Sequence, residues 1–208
     1  MQLKTITNLI KKQQFILVVE MQTIMCSIIE EEGGNMKKCL IVVDYQNDFV
    51  CGALGFEKAY LLEDIIIKKI KEYNTISSDV IFTLDTHKKN YLDTQEGKRL
   101  PVVHCLDGSD GHQLFGGLKE CLKTNSIVFK KPTFGSLELG NYLKGMEYDE
   151  VELVGLVTNM CVLSNAVIAK AALPEARIMV DKNACMSFDE ELHSKTLDIL
   201  KGMHIDVV

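Results

Sequence analysis

The chain is poor in the features that three broad functional classes require. It carries no dense stripe of Lys or Arg, and its 23 basic against 29 acidic residues give a formal charge of -6. Nucleic acid and anionic membrane are therefore not expected partners. Its seven cysteines, Cys26, Cys39, Cys51, Cys105, Cys121, Cys161 and Cys185, form no C-x-x-C pair and are odd in number. With no recognisable secretory leader, that pattern fits free thiols in a reducing cytoplasm. No apolar run reaches membrane length, because Phe15 to Val19 is preceded by Lys4, Lys11 and Lys12 and interrupted by Glu20, Gln22 and Thr23. Also missing are G-x-G-x-x-G after the first expected strand and G-x-x-x-x-G-K-[ST] anywhere, which removes the usual phosphate cradles of dinucleotide and P-loop proteins.

What is present is an ordinary globular balance, 47% apolar and 25% charged over 208 residues. A chain of that length buries about 70% of its unfolded surface, so it needs neither disulfide nor metal to hold a core. Any metal is then expected to serve function. Residues 1–35 read as an N-terminal extension outside the native domain, which spans 36–208. The segment Glu32-Gly33-Gly34-Asn35-Met36 is what GAA-GGA-GGN-AAY-ATG encodes, a purine-rich ribosome-binding sequence before a start codon, so translation is expected to begin at Met36. The alternative is a genuine amphipathic N-terminal helix.

From Met36 onward, short β-branched runs alternate with amphipathic stretches, the pattern of βαβ units. Expected strands are Leu40–Val43 ending at Asp44, Asp79–Leu84 ending at Asp85, Ile127–Phe129 ending at Lys130-Lys131, Val151–Val154 ending at Gly155, and Arg177–Val180 ending at Asp181. Their near-continuous apolarity predicts a mainly parallel sheet with helices on both faces, a doubly wound α/β fold. Helical periods run over Tyr60–Ile70, Leu137–Leu143, Asn159–Ala172 and Glu190–Leu200. Ser187 with Glu190 is read as a capping box, and Pro174 as the stop before the fifth strand. Thr86–Gly117 is a long loop of the kind that is usually functional or mobile.

In such sheets function gathers at the carboxyl ends of the strands. Cys161 falls in the first turn of a helix after the fourth strand, where the helix dipole and unpaired amides favour thiolate. Thr158 or Asn159 is the expected cap, and the turn's N–H groups are available to an oxyanion. Asp44 and Lys131 end other strands and can converge on the same crevice, one to take the thiol proton and the other to stabilise the thiolate. Taken singly each has a plainer reading, as a strand-end carboxylate and a surface lysine. Cys39, Cys121 and Cys185 read as small buried hydrophobes. Asp85-Thr86-His87 with the later His104 supplies a carboxylate and two imidazoles, donors that suit Zn, Mn or Fe with positions left open.

Three segments, Asp44-Tyr45-Gln46-Asn47-Asp48-Phe49, Lys131 ahead of Phe134-Gly135-Ser136, and Gly155-Leu156-Val157-Thr158-Asn159-Met160-Cys161-Val162, resemble the signatures of the isochorismatase-like cysteine hydrolases, which include nicotinamidases. The resemblance runs from about Lys38 to the C-terminus. It implies Asp44 as general base, Lys131 rather than Lys130 as triad lysine, and Cys161 as the nucleophile that forms a thioester with release of ammonia. It further implies a cis Leu156–Val157 peptide and an oxyanion hole from the amides of Val157 and Cys161. Substrate contacts are expected from Phe49, Leu156 and Phe134.

Nicotinamidases of this family hold a metal through Asp-x-His and a later His in a Pro-x-x-His-Cys stretch, which Pro101-Val102-Val103-His104-Cys105 matches. The implied ligands are Asp85, His87 and His104, with Glu96 as the further candidate and Asp107 or Asp110 as substitutes; zinc leads, with manganese or iron behind it. His112 is read as a loop histidine. One departure stands out: Pro101 occupies the position where many members place a ring-stacking aromatic, leaving Phe49, with Tyr91 or Phe134, to wall the substrate. The implied substrate is nicotinamide or a related heteroaromatic amide, and a cytoplasmic homo-oligomer is the expected form. Two alternatives compete, an isochorismatase-type vinyl-ether or other small carbamoyl hydrolase, and a non-enzymatic receiver-like module with Asp44 as phosphoacceptor.

Overall fold

The computed structural model describes residues 36–208; the expectation for residues 1–35 lies outside the described residues. Six strands form one sheet: β1 (Lys38–Val43), β2 (Asp79–Asp85), β3 (Ile127–Lys131), β4 (Glu150–Leu156), β5 (Arg177–Met186) and β6 (Asp206–Val207). Their order is β3-β2-β1-β4-β5-β6, and every pairing is parallel. The expected doubly wound sheet is therefore found, with a sixth strand that the sequence reading omitted and a fifth that runs six residues further, from Val180 to Met186. The helices are α1 (Asn47–Val50), α2 (Glu63–Thr75), α3 (Gln95–Arg99), α4 (Leu118–Cys121), α5 (Leu137–Met146), α6 (Leu163–Ala172) and α7 (Glu190–Gly202). Among the described residues no helix is long and apolar enough to cross a membrane.

The two-residue period of a strand divides the core. On β1, Cys39, Ile41 and Val43 face α5, α6 and α7 through Leu139, Leu143, Ala166, Ala169 and Leu200. Leu40 and Val42 face the other way, against Ile66, Ile70 and Tyr73 of α2. Chain order reverses between β1 and β4, which neighbour each other in the middle of the sheet. Loops leaving adjacent strands on opposite sides open a crevice at such a point.

Gly155 shows how tightly that centre is packed. Its φ is +117°, and a Cβ there would stand 2.1 Å from the carbonyl oxygen of Val43. Only glycine lets β4 pass β1 so closely, and the register between β4 and β5 shifts at the same place.

Several local expectations are corrected. The helix expected to start at Asn159 begins as a π-helical turn over Thr158–Val162 and becomes α-helical only at Leu163. Neither Thr158 nor Asn159 caps it: Thr158 Oγ1 contacts His193 Nδ1 at 2.9 Å, and Asn159 Oδ1 accepts from Ser187 Oγ at 2.7 Å. Ser187 is thus occupied, and Asp189 caps α7 by accepting from Leu192 N. The loop Thr86–Gly117 contains a 3₁₀ turn, Tyr91–Asp93, and α3, whose cap Thr94 accepts from Gly97 N. Cys39 and Cys185 are buried as expected, whereas Cys121 is only half-buried.

One buried charge cluster lies away from the carboxyl ends. Lys69 of α2 stands 2.6 Å from Glu152 of β4 and 2.7 Å from Asp181 of β5, and Tyr73 Oη donates to the same glutamate. Burial opposes the Lys69 ammonium, yet its bonds to Asp181 and Glu152 raise its pKa overall. Removing this cation strands two carboxylates in a poorly solvated place, so Lys69→Met is expected to cost about 3–5 kcal/mol in urea unfolding. Because the folded pKa is the higher one, the Lys69 contribution holds at neutral pH and disappears as pH rises through that value. The parent protein should lose stability on the alkaline side more steeply than the variant does.

Candidate active site

β1 ends at Val43, and the φ of 44° at the next residue, Asp44, turns the chain sharply out of the sheet; aspartate is among the few non-glycine residues that adopt this region readily. Thr83 Oγ1 donates to Asp44 Oδ1 at 2.7 Å, and Asp44 Oδ2 lies 2.6 Å from Lys131 Nζ. That contact is a charge pair without hydrogen-bond alignment, so Oδ2 remains unpaired by a directed donor. Lys131, from the end of β3, also reaches the Thr133 carbonyl at 3.0 Å and Cys161 Sγ at 3.4 Å. All three are buried, Asp44 at 0%, Lys131 at 1% and Cys161 at 6% exposure. The structure thus brings together the carboxylate, ammonium and thiol from three separate strand ends. Lys130 points elsewhere, paired at the surface with Asp107 at 2.7 Å.

The electrostatics differ from a helix-start thiolate. Burial pushes the Cys161 thiol well up, Asp44 pushes it further, and Lys131 only partly offsets both. Asp44 is itself raised, by burial ahead of the opposing pull of Lys131. Burial also works against the Lys131 ammonium, but Asp44, Cys161 and Asp85 together raise it. Burial and Asp44 thus favour the thiol form of Cys161 while Lys131 pulls toward thiolate, and the affinity of Asp44 for a proton is itself increased. Desolvation and the neighbouring acid oppose the helix dipole at this sulfur.

Next to this group, Asp85, His87, Glu96 and His104 present four ligand atoms within 4.8 Å of one another. His104 Nδ1 lies 2.8 Å from the Val102 carbonyl, which can only accept, so Nδ1 carries a proton and Nε2 is the nitrogen turned inward toward Asp85. His87 Nε2 is buried 2.9 Å from Asp85 Oδ2, though without hydrogen-bond alignment. An imidazole nitrogen so placed among two carboxylates and a second imidazole fits a divalent metal by the chemistry of its donors. Asp107 and Asp110 are not part of the group: Asp107 pairs with Lys130, and the Asp110 carbonyl accepts from Asn47 Nδ2. His112 is buried rather than a free loop residue, its Nε2 2.8 Å from Thr86 Oγ1.

Some residues shape the site through contacts that the sequence did not reveal. Gln46 accepts from Asp85 N through Oε1 and donates through Nε2 to the carbonyls of Asp85 and His112. Asp48 accepts from the backbone N–H of Cys105, beside His104. The hexapeptide after β1 therefore supports both the acid and the ligand loop. Tyr91 is fully buried, with its ring 4.6 Å from His87 and 5.0 Å from His104 and its hydroxyl donating to the Leu100 carbonyl. Phe49 packs edge-on against His104 at 5.7 Å, Leu156 is fully buried, and Phe134 is 43% exposed. The peptide Leu156–Val157 is cis, which places Val157 just ahead of the π turn.

The isochorismatase domain model matches residues 38–208. A Bacillus subtilis protein described as an uncharacterized isochorismatase family protein, PncA, is 30% identical over 177 residues, covering 78% of this chain and 93% of that protein. The nicotinamidase of Saccharomyces cerevisiae is 26% identical, covering 82% of this chain and 99% of its own. The crystal structure of nicotinamidase PncA from Bacillus subtilis superimposes with a TM-score of 0.74 at 30% identity, over 83% of this chain and 99% of that one.

Proposed function

The chain belongs to the isochorismatase family, in its nicotinamidase-like branch, and from that premise we propose that residues 36–208 form a cysteine amidohydrolase that converts nicotinamide, or a related heteroaromatic amide, to the carboxylate and ammonia. The observation that carries this reading is the buried contact of Lys131 with both Asp44 Oδ2 and Cys161 Sγ. Asp44 takes the thiol proton, and the sulfur attacks the amide carbonyl. The N–H groups of Val157 and Cys161 receive the oxyanion. Collapse of the adduct expels ammonia with the proton returned by Asp44, leaving a thioester on Cys161. Asp44 then deprotonates a water, which attacks the thioester and frees the acid and the thiol. Lys131 keeps its proton throughout and offsets the charge on sulfur and carboxylate.

Asp85, His87 and His104, with Glu96, are the residues that would hold a divalent metal, zinc first. Such an ion supplies a Lewis-acid anchor for a ring nitrogen and for water. Phe49, Leu156 and Phe134 bound the substrate in this reading, and a cytoplasmic homo-oligomer working in nicotinamide salvage is the form it implies.

The test is ammonia release from a panel of small amides, with metal content measured before and after chelation. Nicotinamide is expected to lead the panel, with about one metal per chain and a loss of at least about tenfold in activity on chelation, restored by zinc. An isochorismatase-type activity requires none of Asp85, His87 and His104, so a metal-free preparation with full turnover of a vinyl ether and none of an amide would refute the proposal.

A further inference from the structure

Asn165 lies in α6, four residues beyond Cys161, and is fully buried. Asparagine is a poor helix-interior residue, and a carboxamide buried without partners is costly. Here the carboxamide has partners on both of its ends. Nδ2 donates to the Cys161 carbonyl at 2.8 Å and to the Phe134 carbonyl at 3.1 Å, while Oδ1 accepts from Ser136 N at 3.0 Å. Every partner is main chain, and it belongs either to the nucleophile or to the turn that follows β3.

That turn also holds the lysine. Lys131 Nζ donates to the Thr133 carbonyl at 3.0 Å, one peptide before the carbonyl that Asn165 grips. Gly135 lets the turn lie directly on α6, since a Cβ there would come within 2.6 Å of Ile168 Cδ1 and 3.4 Å of Ser164 Cβ. The two protons of one planar NH₂ group thus bind two carbonyls, one on each side of the Lys131–Cys161 contact.

We propose that Asn165 is a positioning residue, which sets the spacing between the Lys131 ammonium and the Cys161 sulfur by clamping the turn after β3 onto the backbone of the nucleophile. The inference rests on the reading of Cys161 as nucleophile. No other side chain reproduces the clamp: aspartate keeps the acceptor but loses both donors and sets charge against two carbonyl oxygens, and alanine loses all three bonds.

The experiment compares Asn165→Asp, Asn165→Ala and Cys161→Ala with the parent, each metal-replete, for kcat and KM on nicotinamide, metal content and melting temperature. Both Asn165 variants are expected to lower kcat per folded molecule by about 10–100-fold, as loss of alignment does, with KM within about threefold and metal content unchanged. A residue that only stabilises the fold would lower the melting temperature and leave kcat per folded molecule alone. A folded Asn165 variant with kcat within about twofold of the parent overturns the clamp. If neither variant folds, the side-chain amide protons of Asn165 are followed in the unmutated, ¹⁵N-labelled chain. Exchange slowed by about 100-fold or more is expected, and exchange at the solvent rate overturns the clamp. Cys161→Ala separates the two levels: turnover without the sulfur defeats the thiol reading itself, whereas an inactive Cys161→Ala beside a fully active Asn165→Asp defeats the clamp alone.

Discussion

Replacing Cys161 with alanine is expected to cut ammonia release from nicotinamide by about 10⁴-fold or more, because removing the nucleophile of a covalent mechanism removes the pathway and leaves only binding and oxyanion stabilisation. The fold should barely notice. The change deletes one sulfur atom, and the clamp from Asn165 reaches the Cys161 carbonyl rather than its side chain. A loss of about 1 kcal/mol, seen as about 2–4 °C in melting temperature, is the expected scale. Steady-state ammonia release and a thermal melt on the same preparation check both halves. Turnover within tenfold of the parent would show that the reaction does not pass through this thiol.

Lys131→Met is expected to have the second largest effect, and on both properties. Lys131 lies between Asp44 at 2.6 Å and Asp85 at 3.4 Å, with exposures of 1%, 0% and 3% for the three residues. Methionine fills the space of the stem but leaves two carboxylates without their cation, a change that costs about 3–5 kcal/mol at such sites. Activity should fall by about 10²–10⁴-fold, since the proton-transfer pair loses its electrostatic partner. The pH dependence has a definite sign. Burial already raises Asp44, and without Lys131 it rises further, so the variant is least impaired in acid and its deficit grows as pH climbs through that raised value. Urea unfolding across acid to neutral pH measures this. Adding Asp44→Asn to Lys131→Met should recover part of the loss, because the second change removes a charge the first left unpaired.

Much of the fold was legible because buried parallel strands are long apolar runs with charged stops. Asp44, Asp85 and Lys131 were visible as those stops, and the motif around Cys161 marked the fourth strand's turn. β6 escaped because Asp206–Val207 is too short to show any period, and it exists only through its pairing with Met179 and Val180. The π turn escaped for a similar reason: Asn159–Ala172 reads as one helix, and the register change over Thr158–Val162 depends on partners such as His193 and Ser187, distant in the chain.

At the site, residue types that announce chemistry were found, and the contacts that hold them in place were not. Gln46 and Asp48 lie in the recognised segment after β1 and Tyr91 was named near the ligand loop, but their partners, like those of Asn165, are backbone groups or ring faces of remote segments, which no local pattern reveals. The contacts of Tyr91 with His87 and His104 were not legible, because an aromatic near a ligand loop fits a substrate wall as well as a brace for two imidazoles. The surroundings of Cys161 were only half legible, because helix polarity can be read from sequence, whereas desolvation requires knowing the packing.

Asp85 gives one oxygen to each half of the site. Oδ2 lies 2.9 Å from His87 Nε2 and 3.3 Å from His104 Nε2, while Oδ1 lies 3.4 Å from Lys131 Nζ. The two chemistries are therefore not modular. Exchanging the aspartate for a neutral residue would take one of two carboxylates away from Lys131 and leave Asp44 alone to face it, so a change at the imidazole end reaches the thiol end.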